Sequence, residues 1–271
     1  MTQKYIILLI FALSSCSFFK KNDGPPPLPD NLEGAVHSDF RSKENSERDE
    51  FQHPGETLAF FGIKPNMTVM EISPGAGFYT EILAPYLAKE GQYVMAVPRM
   101  PSNPSQVLIE HEKKLQDILI SHPEIQSKTR FVAFEPLNKR NLVKAGFTDM
   151  VLSFNSVHNW VATNSTKMAF KFFYTVLKPG GTLGIVQHLA PGNKKLAMKS
   201  GYMTENEVIA HAKRAGFKLV EKSSINFNPR DSGNYSGGVW VLPPVYRMGE
   251  KDHDKYEEIG ESNRMTLKFK K

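Results

Sequence analysis

The segment Glu71-Ile72-Ser73-Pro74-Gly75-Ala76-Gly77-Phe78-Tyr79-Thr80 carries the residue types best suited to holding a ligand. Glycines let a strand turn sharply into a helix and bring backbone N–H groups close to a bound molecule. The start of the following helix favours a carboxylate or a phosphate. A dinucleotide fingerprint needs a third glycine and an acid roughly 20 residues on. Position 80 is Thr, and the second predicted strand ends in Val97-Pro98 with no acid, so a nicotinamide cofactor is a poor match. His158, in the loop after the fourth predicted strand, and His188, at the end of the fifth, are candidate proton acceptors near neutral pH. Their bland alternative is a pair of hydrogen-bonded loop histidines. Arg230, Asp231 and Arg264 read as charges that close a flap by ion pairing or bind an anionic substrate, with Arg230 grouped with the histidines as catalytic. Trp160 reads as an aromatic wall or as core. The eight His show no spacing with Cys or carboxylates that suits a metal. A Gly-x-Ser-x-Gly hydrolase elbow is absent.

These groups need a scaffold, and the hydrophobic pattern supplies one. Apolar runs at Thr68–Ile72, Gln92–Val97, Thr129–Phe134, Asp149–Phe154, Thr182–Gln187 and Phe217–Ser223 read as strands. Helical periods fall between them at Tyr79–Ala88, Ser105–Ser121, Ser165–Leu177 and Thr204–Ala215. The first presents Ile82, Leu83, Tyr86 and Leu87 on one face, and the second Val107, Leu108, Leu115, Ile118 and Leu119. Thr204 with Glu207 fits a capping box, and Gly216 a C-terminal stop. Met265–Phe269 alternates apolar and polar residues and is expected as a seventh strand antiparallel to the sixth. The expectation is an α/β fold: a Rossmann-like, seven-stranded, mostly parallel sheet with an antiparallel last strand and helices on both faces. Residues 224–262 then form one insertion before the last strand. Val239-Trp240-Val241-Leu242 is too apolar for simple disorder, so the insertion is expected to fold over the strand ends as a lid that includes Trp240. Residues 37–62 read as helical turns on the edge of the sheet, broken at His53-Pro54.

The N-terminus reads differently. Lys4 precedes the apolar run Tyr5–Leu13, which is too short to span a bilayer and suits a secretory leader. The run ends in Leu13-Ser14-Ser15-Cys16, which resembles the bacterial lipobox. Cys16 is the only cysteine, so an internal disulfide is excluded, and lipidation gives this thiol a purpose. The expected organisation is a signal peptide over 1–16, a Pro-rich tether over 17–35 and one domain over 36–271. Ser17 after the cysteine points to lipid anchoring in the cell envelope, on the periplasmic face of the outer membrane. Net charge is +6 with scattered basic residues, which argues against nucleic acid as a partner.

Glu71 followed by SPGAG resembles the first motif of class I S-adenosylmethionine-dependent methyltransferases. Leu177-Lys178-Pro179-Gly180-Gly181 resembles the turn before that fold's fifth strand. The chain is also similar to a family of predicted exported methyltransferases. That likeness rests on His53-Pro54, Glu56-Thr57, Phe60–Lys64, Tyr79–Leu87, Val157–Trp160, Asn228–Asp231, Gly238–Trp240 and Gly260–Leu267. The resemblance implies S-adenosylmethionine as cofactor, held by Glu71, Ser73, Gly75, Gly77, Tyr79, Pro98, Glu135 and Asn155. The glycine turn would hold its amino-acid end, and Glu71 would orient that loop or reach the amine through water. Asn155 would line the methionine side and Glu135 the adenine. Two positions depart from the pattern: Ser73 replaces the usual first glycine, and Val97-Pro98 replaces the acid that binds both ribose hydroxyls. The implied function is methyl transfer to a small or envelope-associated acceptor. The alternative is a non-catalytic small-molecule-binding lipoprotein on the same fold, favoured by export away from the cytoplasmic cofactor.

Overall fold

The computed structural model describes residues 25–136, 143–193 and 196–271. The leader and Cys16 lie outside these residues, as does most of the expected tether. Seven strands form one sheet in the order β3-β2-β1-β4-β5-β7-β6. They are β1 (Thr68–Ile72), β2 (Gln92–Val97), β3 (Thr129–Ala133), β4 (Thr148–Phe154), β5 (Leu177–His188), β6 (Lys218–Ser223) and β7 (Arg264–Lys270). All ladders are parallel except those that β7 makes with β5 and β6. The expected architecture and the antiparallel seventh strand are thus present. Lys178-Pro179-Gly180-Gly181 bulges within β5, between Leu177 opposite Thr148 and Thr182 opposite Met150.

The central strands are buried on both faces, which is why they read as apolar runs rather than as alternating ones. Side chains still alternate between two layers. Val69, Tyr93, Met95 and Leu152 point to one core, and Met70, Ile72, Val94 and Val151 to the other. The first core is covered by α1 (Leu32–Val36), α4 (Pro54–Phe61), α5 (Thr80–Leu87), α6 (Gln106–Ile120) and α7 (Pro123–Lys128), with α2 (Lys43–Ser46) and α3 (Asp49–Gln52) above them. The second is covered by α8 (Val157–Ala162), α9 (Thr166–Val176) and α10 (Glu205–Arg214). The Thr204–Glu207 capping box starts α10 as expected. One glycine is required by close approach: a Cβ on Gly184 would lie 2.8 Å from Leu152 and from the Phe61 ring.

Several local expectations are corrected. Helix α5 is buried on every side, not on one face, because α1 and α4 cover it from outside the sheet. On α6 only Leu115 and Leu119 are buried. Val107 and Leu108 are exposed, since the first half of that helix stands clear of the sheet. Residues 37–62 do not sit on the sheet edge. They lie over α5 and β5, and His53 takes a left-handed φ of 41° between α3 and α4, where the break was expected. Helix α1 begins inside the stretch expected as tether. Asn31 caps it by accepting from the Gly34 N–H (2.8 Å), and Ala35 and Val36 pack into the core.

Candidate functional site

Strand order reverses between β1 and β4, and in such sheets the crevice beyond the strand ends at that point is where ligands bind. The register Ile72↔Ser153 sets the glycine turn after β1 beside Asn155 after β4. Ser73 adopts a left-handed φ of 54°, the conformation that makes glycine usual there, and its N–H donates to the Ala96 carbonyl (2.8 Å). Gly75 is exposed, and a Cβ there would meet nothing within 4 Å. The Gly75 and Ala76 N–H groups have no partner among the described residues. Gly77 serves packing instead: its added Cβ would crowd Ile118 (3.0 Å) and Leu115 (3.1 Å) of α6. Asn155 combines a left-handed φ of 50° with a buried Oδ1 that has no hydrogen-bond partner. A strained backbone and an orphaned acceptor each carry a cost of roughly 1–3 kcal/mol.

The remaining residues expected at the cofactor divide. Glu71 does not face the crevice. It lies in the first core, where its Oε2 accepts from Thr80 Oγ1 (3.2 Å) and from the Tyr93 hydroxyl. It therefore anchors the first residue of α5 and orients the loop, which is the first of the two expected roles. Burial without a cation raises its pKa from 4.5 to about 7. Tyr79 is buried, stacked on Phe154 at 3.5 Å, so it fills space rather than lining a site. Pro98 is exposed at the end of β2. The next residue, Arg99, pairs with Glu135 (3.6 Å) from the end of β3. A basic residue thus stands at the β2 end, with the nearest carboxylate one strand over.

A second cluster lies at the ends of β4 and β5. His188 closes β5 as expected. His158 is not in a loop but in the first turn of α8. Their ring centroids are 5.6 Å apart. His158 Nδ1 is 3.1 Å from Gln187 Nε2, and His188 Nδ1 is 2.7 Å from Ser262 Oγ. Burial lowers the pKa of both rings. For His188 the neighbouring His158 and Arg264 lower it further. Both are therefore neutral near pH 7.

The insertion, residues 224–262, reaches this cluster. Asn226 Nδ2 donates to Thr57 Oγ1 (3.0 Å) and Thr266 Oγ1 (2.9 Å), and Asn228 Nδ2 donates to the Glu261 carbonyl (2.6 Å). These bonds tie the two ends of the insertion to the sheet. A 3-10 turn, Gly238–Val241, packs against Ala190 and Tyr202, and Trp240 sets its edge against His158 at 5.8 Å. Trp160 is elsewhere, buried among Phe134, Phe170 and Phe173 in the second core, so it is no part of the site.

The charges pair differently from expectation. Arg264 is buried and bonds Glu261 (2.9 Å), which Arg48 (2.6 Å) and Gln52 also hold. Asp231 is buried as well, and accepts from the Tyr202 hydroxyl (2.9 Å), Gly233 N (2.8 Å) and Asn263 N (2.7 Å). Arg230 is exposed, and its guanidinium has no partner among the described residues. Long-range partners from α3 and from the segment after β5 explain the difference. A cavity of about 570 Å³ opens between α2–α3 and the insertion, lined by Arg48, Phe51, Pro243, Tyr246, Glu257 and Glu261. Sequence reasoning missed Gln187 and Ser262. Gln187 had a usable signal, a polar residue inside an apolar strand; Ser262 had none.

No protein-family model matches the sequence, and no curated protein matches it. Solved structures do. The chain is similar to an S-adenosylmethionine-dependent methyltransferase from Aquifex aeolicus, with TM-score 0.55, 15% identity, and coverage of 84% of this chain and 94% of that one. It is similar to the [4+2]-cyclase SpnF, with TM-score 0.53, 12% identity and coverage of 87% and 85%. It is also similar to an S-adenosylmethionine-dependent methyltransferase from Methanosarcina mazei, with TM-score 0.51, 13% identity and coverage of 79% and 96%. Together with the strand order, these likenesses establish that the chain has the class I methyltransferase fold.

Proposed function

We propose that the chain is an S-adenosylmethionine-dependent methyltransferase acting on a small or envelope-associated acceptor. The observation that carries this reading is the pairing, across the β1–β4 crevice, of free Gly75 and Ala76 N–H groups with the orphaned Asn155 Oδ1. This donor and acceptor set fits an amino-acid moiety: the N–H groups would take its carboxylate, and Asn155 its amine. When bound, S-adenosylmethionine supplies an electrophilic methyl group on a sulfonium. The protein's part is placement and exclusion of water. Glu135, beside Arg99, is the carboxylate available to the ribose side. His188 would accept a proton from the acceptor, and Trp240 with the rest of the insertion would shield the site as a lid. The cavity between α2–α3 and the insertion offers the acceptor a route. Calorimetric titration with S-adenosylmethionine and with its demethylated product tests this. Saturable binding of both is expected, and no heat at millimolar ligand would rule the reading out.

A second reading is favoured by the Arg99–Glu135 ion pair, which stands where a free ribose-binding acid is usual. On it the chain binds a small molecule without catalysis, as a shared fold permits. Mass spectrometry of co-purifying ligands separates the two, since a ligand without a sulfonium or thioether favours the second.

The proposal also places the chain in the cell envelope, lipid-anchored through Cys16 on the periplasmic face of the outer membrane. Among the described residues no helix is long and apolar enough to cross a membrane. Cys16→Ser should move the chain from the membrane fraction to the soluble one, and unchanged fractionation would refute the anchor.

A further inference from the structure

We infer that Gln187 and Ser262 are positioning residues that give the two histidines opposite roles, His158 presenting an N–H donor and His188 a basic nitrogen. The use of these roles rests on the methyl-transfer reading; the protonation pattern itself does not.

The argument starts at Gln187, which is fully buried on β5. Its Oε1 accepts from Val157 N (3.0 Å), and its Nε2 donates to the Gly201 carbonyl (3.2 Å). The reversed amide would set oxygen against carbonyl oxygen and N–H against N–H, so one orientation holds. The same Nε2 faces His158 Nδ1 at 3.1 Å and must donate to it. His158 Nδ1 therefore keeps its lone pair, and the neutral ring carries its proton on Nε2. That nitrogen can donate a hydrogen bond to an acceptor molecule but cannot remove a proton from it.

His188 has no such constraint. Its Nδ1 meets a hydroxyl, Ser262 Oγ at 2.7 Å, which can accept as well as donate. With Nδ1–H donating to Ser262, the lone pair lies on Nε2, and a proton arriving there leaves the serine bond in place. During transfer the acceptor's O–H or N–H bond breaks and its proton goes to His188 Nε2. The electron pair left behind forms the new bond to the methyl carbon, while the donor's C–S pair stays on sulfur. Ser262 is the last residue of the insertion, so seating of the insertion also orients the base.

The test is the tautomer state of the full chain by long-range 1H–15N correlation at neutral pH, with the two rings assigned through His158→Gln and His188→Gln. A proton on Nε2 alone for His158 and on Nδ1 alone for His188 is expected. The same nitrogen protonated in both rings, or either ring charged, would overturn the division. Gln187→Met should leave His158 as a mixture of tautomers while His188 keeps its own, and Ser262→Ala should do the converse. An unchanged tautomer in either variant would overturn the positioning role. These spectra need no cofactor, so absence of S-adenosylmethionine binding would defeat the methyl-transfer reading without touching them.

Discussion

Glu71→Gln isolates the energetic cost of an uncompensated carboxylate in the core. Glu71 is 2% exposed, and its only partners are the hydroxyls of Thr80 and Tyr93. The rise of its pKa from 4.5 to about 7 corresponds to roughly 3 kcal/mol, at about 1.4 kcal/mol per tenfold change in proton affinity. Its sign follows from which state holds the proton. Between about pH 4.5 and 7 the folded chain keeps a proton that the unfolded chain has released. The stabilisation from the neutral carboxyl is thus full below about pH 4.5 and lost as pH rises through about 7. A glutamine keeps an acceptor for both hydroxyls and never ionises. Urea unfolding of both proteins should give equal stabilities near about pH 4.5 and a glutamine advantage approaching roughly 3 kcal/mol at about pH 8. For a chain of this size that advantage is about 6–12 °C in Tm. The lowered histidine pKa values act equally in both proteins and cancel in the difference. A difference that does not change with pH, or a glutamine penalty at alkaline pH, would refute the reasoning.

Other changes probe the frame around the site. Arg264→Met leaves Glu261 buried with only Arg48 and Gln52, and should cost about 3 kcal/mol by urea unfolding. Gly184→Ala drives a methyl into Leu152 and Phe61 and should cost about 1–3 kcal/mol in the same assay. Asp231→Ala removes the acceptor that joins Tyr202, Gly233 and Asn263. It should speed limited proteolysis within residues 224–262 while cleavage of the sheet stays unchanged.

The sheet was legible in the sequence because its strands are buried on both faces, so apolar runs such as Met70–Ile72 and Val151–Leu152 mark them without reference to neighbours. The capping box at Thr204 and the break at His53 were legible because they are local. What the sequence hid depends on partners far along the chain. Trp160 is core because Phe134, Phe170 and Phe173 surround it. Arg264 meets Glu261 rather than Asp231 because Arg48 and Gln52 converge on the same carboxylate, while Tyr202 takes Asp231. At the site, both strand-end histidines were legible as a pair. Their hydrogen-bond partners were not, because Ser262 reaches His188 across 74 positions. The motif Glu71-Ile72-Ser73-Pro74-Gly75 marked the crevice, yet only the backbone shows that Glu71 turns away from it and Asn155 towards it.

The central claim is that the β1–β4 crevice holds the amino-acid end of S-adenosylmethionine. Its most direct test is the calorimetric titration of that compound into the wild-type chain and into Asn155→Ala. The account predicts saturable binding to the wild type and binding about tenfold weaker in the variant, the loss of one charge-assisted hydrogen bond of about 1.4 kcal/mol. Equal affinity for both proteins, or no binding to the wild type, would contradict it.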